Sequence, residues 1–510
     1  MRISRRKNTI TGTSFGVIQK VLALVFPFAI RTIFIRTIGA EYLGLNSLFT
    51  SILQILNLAE LGVGSALVFS MYKPIAEDDK EKICALMNLY KKYYRIIGLI
   101  VLSLGLAILP FLRFFIKGDV PTNINIYIIY IMSLSSNVLT YWLFAYRNSL
   151  FQAHQRLDII YIITIIINIL QYSIQIVLLL VLKNYYMYLA VTIIAQILLN
   201  LITAFFSKKI YPDYYPDGEL KKDEVKTINK KIGALMTAKV GGVISNSFDT
   251  VVVSAFLGLE VLAIYQNYFY IVTAISGIIM IFFSAIQAGI GNYLLSSEKK
   301  DSYNLFNNIN FIVFFVVNIS CCCLITMYQP FMIIWVGDEY LLANNLVFMF
   351  AGYLLSYIII RPAIVFKDAA GIWSEDKYRP LVTSLTNLSL NLATISFLGL
   401  YGVLGSTIVS YLFVGFPWVL YNINKYMFKI DFKRFIIREF LYLFVIVLSC
   451  FASYMLCFYI KIDNIYLNLL KNMILSVFVS MIIFIIFFAF TKENKYFMNY
   501  LKQILKKIKR

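Results

Sequence analysis

Fourteen apolar stretches long enough to cross a bilayer follow one another along this chain, and nothing else in it constrains the fold so strongly. They run at 12–38, 43–70, 93–117, 122–150, 157–182, 185–206, 232–257, 260–290, 306–335, 341–367, 380–399, 402–424, 435–460 and 466–490. A spanning helix needs about 20 such residues, whereas a barrel strand needs only about 10. In hydrocarbon each segment must also satisfy its own backbone. The expected fold class is therefore all-α and integral to the membrane, with about 14 transmembrane helices. A chain that is 60% hydrophobic and 14% charged leaves no room for a large soluble domain.

The net charge of +20 would suggest nucleic acid in a soluble protein. Position argues otherwise. When the connections are assigned alternately to two sides, one side collects 36 of the 46 Lys and Arg. It holds both chain ends and the connections at 71–95, 147–156, 207–231, 296–303, 367–379 and 425–438. The positive-inside rule places that side in the cytoplasm, with both termini there. No nucleic-acid partner is expected, and the basic tail "KENKYFMNYLKQILKKIKR" suits an interfacial helix on anionic lipid. The first apolar run is too long for a cleavable signal peptide.

Catalytic chemistry has little to work with. The chain has one histidine, His154, and six cysteines. Cys321, Cys322 and Cys323 would point about 100° apart on a helix and cannot share one metal. No catalytic residue, metal or cofactor is expected, with proton or sodium coupling left open.

The polar stretch "SKKIYPDYYPDGELKKDEVKTINKKIG" near the middle reads as a linker. A shift of 219 residues carries Gly39 onto Gly258, Glu41 onto Glu260, Leu43 onto Leu262 and Lys20 onto Lys239. A shift of 223 pairs Arg156 with Arg379 and Asn168 with Asn391. The expected organisation is an N-lobe of six spans at 1–207, a linker at 208–231, a C-lobe of six spans at 232–424, and two further spans with the tail at 425–510. Transporters built from such repeats bind substrate between the halves, near the midplane.

Charges inside the spans are expensive, about 2.5–3.5 kcal/mol each at a helix centre. Lys20, Pro27 and Arg31 share a helix face, whereas Arg36 points away, near the interface, where snorkelling accounts for it. Asn46, Thr50, Asn57 and Glu60 form a polar face on span two, and Glu60 comes near the depth of Lys20. A structural ion pair between those two and a functional role for them are the two readings weighed. Lys239 shares a face with Asn246 and Thr250, but its repeat-equivalent of Glu60 is Ile279, so Lys239 is expected to lack a partner. It is the leading candidate anion ligand, followed by Arg31 and Lys20. Asp249, near the depth of Arg31, is a candidate gate or coupling residue, with Glu60, Asn246 and Asn57 as further polar cavity residues. Arg361 is closer to a membrane surface, and snorkelling is the expected role. The aromatic residues are read as lipid-facing or interfacial, and none is assigned to a site.

The stretches "IRTIGAEYLGLNSLFTSILQILNLAELGVGSALVFSMYKPIAEDD" (35–79), "FDTVVVSAFLGLEVLAIYQNYFYIV" (248–272) and "FKDAAGIWSEDKYRP" (366–380) resemble bacterial polysaccharide biosynthesis membrane proteins. These are the Wzx-type oligosaccharide flippases of the multidrug/oligosaccharidyl-lipid/polysaccharide (MOP) exporter superfamily. The resemblance implies a MATE-like fold: two six-helix lobes around a central cavity lined by spans one, two, seven and eight, plus two C-terminal helices. It implies alternating-access transfer of an undecaprenyl-diphosphate-linked oligosaccharide across the bacterial cytoplasmic membrane, for capsule, O-antigen or exopolysaccharide assembly. Partners would be membrane lipids and the polymerase and glycosyltransferases of the same pathway. A lipid II flippase, a multidrug exporter and, more remotely, a membrane-embedded polymerase are the competing readings. An exporter of cationic drugs would want carboxylates in its cavity, and a polymerase would want a larger outer loop or domain.

Overall fold

The computed structural model describes residues 5–118 and 120–508; the side chains of 5–13, 238, 246, 288, 434, 500, 501 and 504–508 lie outside the described set. Among the described residues thirteen helices are long and apolar enough to span a membrane, or fourteen if one bent pair counts as a single span. That matches the number of apolar runs, and the chain is a multi-pass membrane protein. The chain divides into two compact units, 1–263 and 264–510.

The first unit contains α1 (Arg5–Thr37), α2 (Ala40–Leu56), a 3-10 turn (Asn57–Glu60), α3 (Val63–Ala76) and α4 (Lys80–Ile108), which a second 3-10 segment (Leu109–Phe115) follows. It continues through α5 (Ile126–Trp142), α6 (Ala145–Ala153), α7 (Leu157–Val181), α8 (Tyr185–Ile210) and α9 (Lys222–Leu257). The bent pair is α5 and α6, meeting at 53°. Phe144, at φ +57°, turns the chain there, and the Trp142 indole donates to the Arg95 carbonyl at 3.3 Å.

Helix α1 packs on α7, α2 on α9, and α5 on both α4 and α8. Two of the positions that the 219-residue shift aligns, Gly39 and Gly258, have the same backbone geometry. Gly39 (φ +108°, ψ 161°) and Gly258 (φ +96°, ψ 174°) make the same turn between consecutive helices, in backbone space that favours glycine. Each is followed two residues later by a glutamate in the first helical turn, where a negative charge suits the helix dipole. Gly44 lets the second of these turns sit against α2, because a Cβ there would lie 2.1 Å from the Leu259 carbonyl oxygen.

The polar stretch after α8 is fastened to α4. Lys80 pairs with Asp213 at 2.9 Å, Lys92 with Glu219 at 2.8 Å and Lys82 with Glu224 at 2.5 Å. The Lys92 ammonium holds the Glu219 carboxyl below the usual carboxylate range. His154 stacks on Tyr211, with ring centroids 4.4 Å apart, and Arg147 donates to the Tyr214 carbonyl. Burial holds the His154 imidazole below its ordinary value.

The second unit contains α10 (Leu259–Ser296, beyond its first residues), α11 (Lys299–Trp335), α12 (Asn344–Ile359), α13 (Arg361–Ala369) and α14 (Arg379–Leu398). It ends with α15 (Leu400–Val409), α16 (Phe416–Ile423), α17 (Phe432–Tyr459), α18 (Ile465–Phe487) and α19 (Lys492–Ile508). Helix α11 is its axis, packed by α12, α17 and α18. Lipid is as apolar as leucine, so association rests on close packing and polar bonds between helices. Between α11 and α18, Thr326 and Ser476 hydroxyls meet at 2.7 Å. Asn318 donates to the Ser480 carbonyl at 3.0 Å, and Asn472 to the Thr326 carbonyl at 2.8 Å. Arg361 sits 4.0 Å from the Tyr357 ring centroid, its charge resting on an aromatic face.

Candidate functional site

Two polar regions of the first unit bring together most of the residues that sequence singled out. One lies where α9 crosses the 3-10 turn and the start of α3. Gly62 (φ +87°) permits that crossing, since a Cβ there would lie 2.8 Å from Leu235 Cβ and 3.1 Å from the Ile232 carbonyl oxygen. A turn further along α9, the exposed Lys239 ammonium donates to the Ser65 hydroxyl at 3.4 Å. The same ammonium acts electrostatically on Glu60. Glu60 Oε1 in turn accepts a 2.5 Å hydrogen bond from the buried Tyr94 hydroxyl.

The other region is a cavity of about 590 Å³ lined by α1, α2, α5, α7, α8 and the 3-10 turn. Arg31 lines it, beside the Tyr188 ring, as do Asn46, Thr50, Gln54 and Asn57 from the polar face of span two. Asn57 Oδ1 accepts from the Tyr141 hydroxyl at 2.7 Å, and Asn46 Oδ1 from Tyr185 at 3.3 Å. Gln54 Oε1 accepts from Ser247 of α9 at 3.1 Å, tying α9 to the cavity wall.

A tier of tyrosines joins the two regions. Tyr90 and Tyr94 lie with ring centroids 4.4 Å apart, and Tyr94 and Tyr141 are 5.6 Å apart. Tyr94 holds Glu60 while Tyr141 holds Asn57, at opposite ends of the one 3-10 turn.

Two readings need correction. Glu60 does not pair with Lys20: no ion pair joins them among the described residues, and the cation acting on Glu60 is Lys239. Helix α1 packs on α7, where Gly16 abuts Tyr161, and Lys20 is exposed. Helix α9 instead packs on α2 and α3, which puts Lys239 at the 3-10 turn. Lys239 therefore does not lack a partner. Arg31 and Asn57 share the cavity, whereas Lys20, Lys239, Glu60 and Asp249 are not among its lining residues. Asp249 is buried on α9, and the side chain of Asn246 lies outside the described residues.

The family model described as "Polysaccharide biosynthesis protein" matches residues 6–287. The chain belongs to this family. Among solved structures, this polysaccharide biosynthesis protein resembles the lipid II flippase MurJ in an inward closed conformation, at 16% identity and a TM-score of 0.61. That match covers 94% of this chain and 99% of MurJ. It also resembles an inward-facing MATE family multidrug resistance transporter of the MOP superfamily (14% identity, TM-score 0.60, 82% and 98% covered). A third is a MOP superfamily transporter from Pyrococcus furiosus described as having a binding pocket of reversed polarity (13% identity, TM-score 0.56, 83% and 96% covered). The fold is that of the MOP superfamily, and these neighbours are transporters and a flippase rather than enzymes. No curated protein matches the sequence.

What sequence reasoning missed in this family member is the tyrosine tier. Tyr90 and Tyr94 stand four residues apart on a span, and i,i+4 spacing was the available signal that they act together. Glu60, which Tyr94 holds, and Tyr141, which holds Asn57, lie on other spans, and no local pattern announces them. Among the described residues no cluster of three or more His, Cys, Asp or Glu has a geometry that holds a metal ion.

Proposed function

We propose that this protein is a flippase that moves an undecaprenyl-diphosphate-linked oligosaccharide across the bacterial cytoplasmic membrane by alternating access. The observation that carries the reading is membership of the polysaccharide biosynthesis family combined with cations in the spans. Lys239 and Lys20 are both exposed. Ammonium and guanidinium groups in a wet passage suit a diphosphate headgroup, and the polyprenyl tail need never leave the lipid. Lys239 is the principal headgroup ligand in this reading, with Arg31 and Lys20 assisting. When a diphosphate engages Lys239, the ammonium leaves the Ser65 hydroxyl for the ligand, while Tyr94 keeps its hydrogen bond to the Glu60 carboxylate. Asp249 and Asn246 serve as gating or coupling groups. The proposed arrangement is two lobes of six spans with the linker at 208–231 and both termini in the cytoplasm. Its partners are the polymerase and glycosyltransferases of the same pathway.

The likeness to MurJ over nearly the whole of both chains favours lipid II as the alternative cargo. A cationic-drug exporter is disfavoured, because the cavity of the first unit presents an arginine and no carboxylate. Deleting the gene tests the reading. Lipid-linked glycan should build up on the cytoplasmic leaflet, and export should return with the intact gene. Unpolymerised units outside the cell, without that build-up, would instead indicate a polymerase.

A further inference from the structure

We infer that two neighbouring segments of the second unit, at 370–378 and 421–426, together form an anchor for the headgroups of anionic phospholipids. Lys377 and Lys425 supply the charge, and Trp373, Tyr378, Tyr421 and Tyr426 supply the interfacial rings. The inference goes beyond the transport reading and does not depend on what the protein carries.

The two segments are fastened to each other from beneath. Asp376, almost wholly buried, draws Arg379 and Lys367 onto itself. Asn422 donates to the same carboxylate at 3.0 Å and to the Glu375 carbonyl at 3.4 Å. Ile372 is buried, and its amide donates to the Lys367 carbonyl at 3.0 Å. Between these fastenings the loop turns its largest side chains outward, with Trp373 65% exposed and Tyr378 56%. Tyr421 and Tyr426, on either side of Asn422 in sequence, are exposed as well. The Lys377 ammonium lies 4.7 Å from the Tyr378 ring centroid, and that of Lys425 lies 5.4 and 5.3 Å from those of Tyr421 and Tyr426. Both lysines are exposed, so an open tyrosine ring with a lysine over it stands on each segment.

The ends of the spans set the height of this patch. The loop joins the spans Asn344–Ala369 and Arg379–Leu398, and residues 421–426 lie in the last turns of the span Leu400–Phe428. The layer between hydrocarbon and water is about 5–7 Å deep on each side, and both segments lie where the apolar helices end. In water a rigid group of open aromatic rings is a liability. In the headgroup layer the amphipathic rings of Trp and Tyr are well placed, and a lysine there gains from anionic lipid. The exposed carboxylate of the loop, Glu375, accepts from the Ser374 hydroxyl at 2.7 Å, and two exposed lysines outweigh it. A soluble partner would have to displace headgroups before it reached the rings.

The test uses the full-length protein in lipid nanodiscs, with Trp142→Phe, Trp335→Phe and Trp418→Phe leaving Trp373 as the sole tryptophan. Its emission is quenched in turn by brominated phosphatidylglycerol, by brominated phosphatidylcholine at the same mole fraction, and by aqueous iodide. Both lipids should quench it and iodide should do so only weakly. Phosphatidylglycerol should be preferred by about fivefold or more, and Lys377→Gln with Lys425→Gln should bring the two lipids to within about twofold. Quenching by iodide without quenching by lipid puts the patch in water and overturns the anchor. Equal quenching by the two lipids, or a preference that survives both lysine substitutions, overturns it too. If the protein with a sole tryptophan fails to fold by gel filtration, Trp373→Phe in the otherwise native chain decides. It should remove the lipid-selective part of the quenching, and unchanged selectivity overturns the proposal.

Discussion

The charges that stand out in the two units sit in different surroundings: enclosed in the second, exposed or half-buried in the first. In the second, Asp376 is 1% exposed and receives Arg379 at 2.8 Å and Lys367 at 3.3 Å, while Asn422 donates to it at 3.0 Å. Glu439, equally enclosed, takes both bonds of the Asn310 amide and lies 3.5 Å from Arg438. These groups are enclosed and bonded to one another, although Arg438 Nε is buried without a hydrogen-bond partner. In the first unit Lys239 is exposed with a long 3.4 Å contact to Ser65, and Arg31 faces a cavity. Charge that is enclosed among partners specifies structure, whereas charge exposed beside a neutral hydroxyl, as at Lys239, is available for recognition.

Breaking that contrast should give effects of very different size. Asp376→Asn leaves Lys367 and Arg379 buried around a neutral group, and should cost about 3–5 kcal/mol of stability. The readout is a thermal melt of detergent-solubilised protein, and a melt matching wild type would refute the staple. Tyr94→Phe removes one hydrogen bond to the half-buried Glu60 carboxylate, and about 1.5–3 kcal/mol is expected by the same melt.

His154 offers a smaller, pH-dependent effect. Its folded-state value lies below the ordinary one, so the unfolded chain takes up a proton first as pH falls. The contribution is fully present above the ordinary imidazole range and is lost as pH drops through it. The melting temperature should fall more between pH 7.5 and 5.5 for wild type than for His154→Phe, and parallel curves would contradict this. Smallest of all in stability is Lys239→Ala, expected within about 0.5 kcal/mol because the side chain is exposed. Export should nevertheless fail, while Lys239→Arg retains part of it, with both variants inserted at wild-type levels.

The fold was legible in sequence because hydrocarbon forces each span to declare itself. Apolar length fixed the number of spans, and the Gly39 and Gly258 turns were visible as a repeat because the backbone there strongly favours glycine. The candidate site was only half legible. Arg31 and Asn57 were identified from their helix faces, and they do meet in one cavity. An ion pair of Glu60 with Lys20 does not form because depth and helix face do not say which helices touch: α9 rather than α1 packs beside the 3-10 turn, and the Tyr94 hydroxyl holds the carboxylate. Tyr94 and Tyr141 were invisible as site residues because an interfacial belt and a buried hydroxyl network use the same residue type. The segment 366–380 carried its family resemblance without disclosing that Lys367, Asp376 and Arg379 close on one another.

The most direct test of the central claim is reconstitution. The purified protein is placed in vesicles containing a labelled undecaprenyl-diphosphate oligosaccharide, and the fraction open to an external glycosidase is followed over time. The account predicts that wild type exposes the inner-leaflet pool, that Lys239→Ala does so far more slowly, and that Lys239→Arg falls between. Wild-type vesicles that match protein-free ones, or Lys239→Ala that matches wild type at equal protein density, would contradict it.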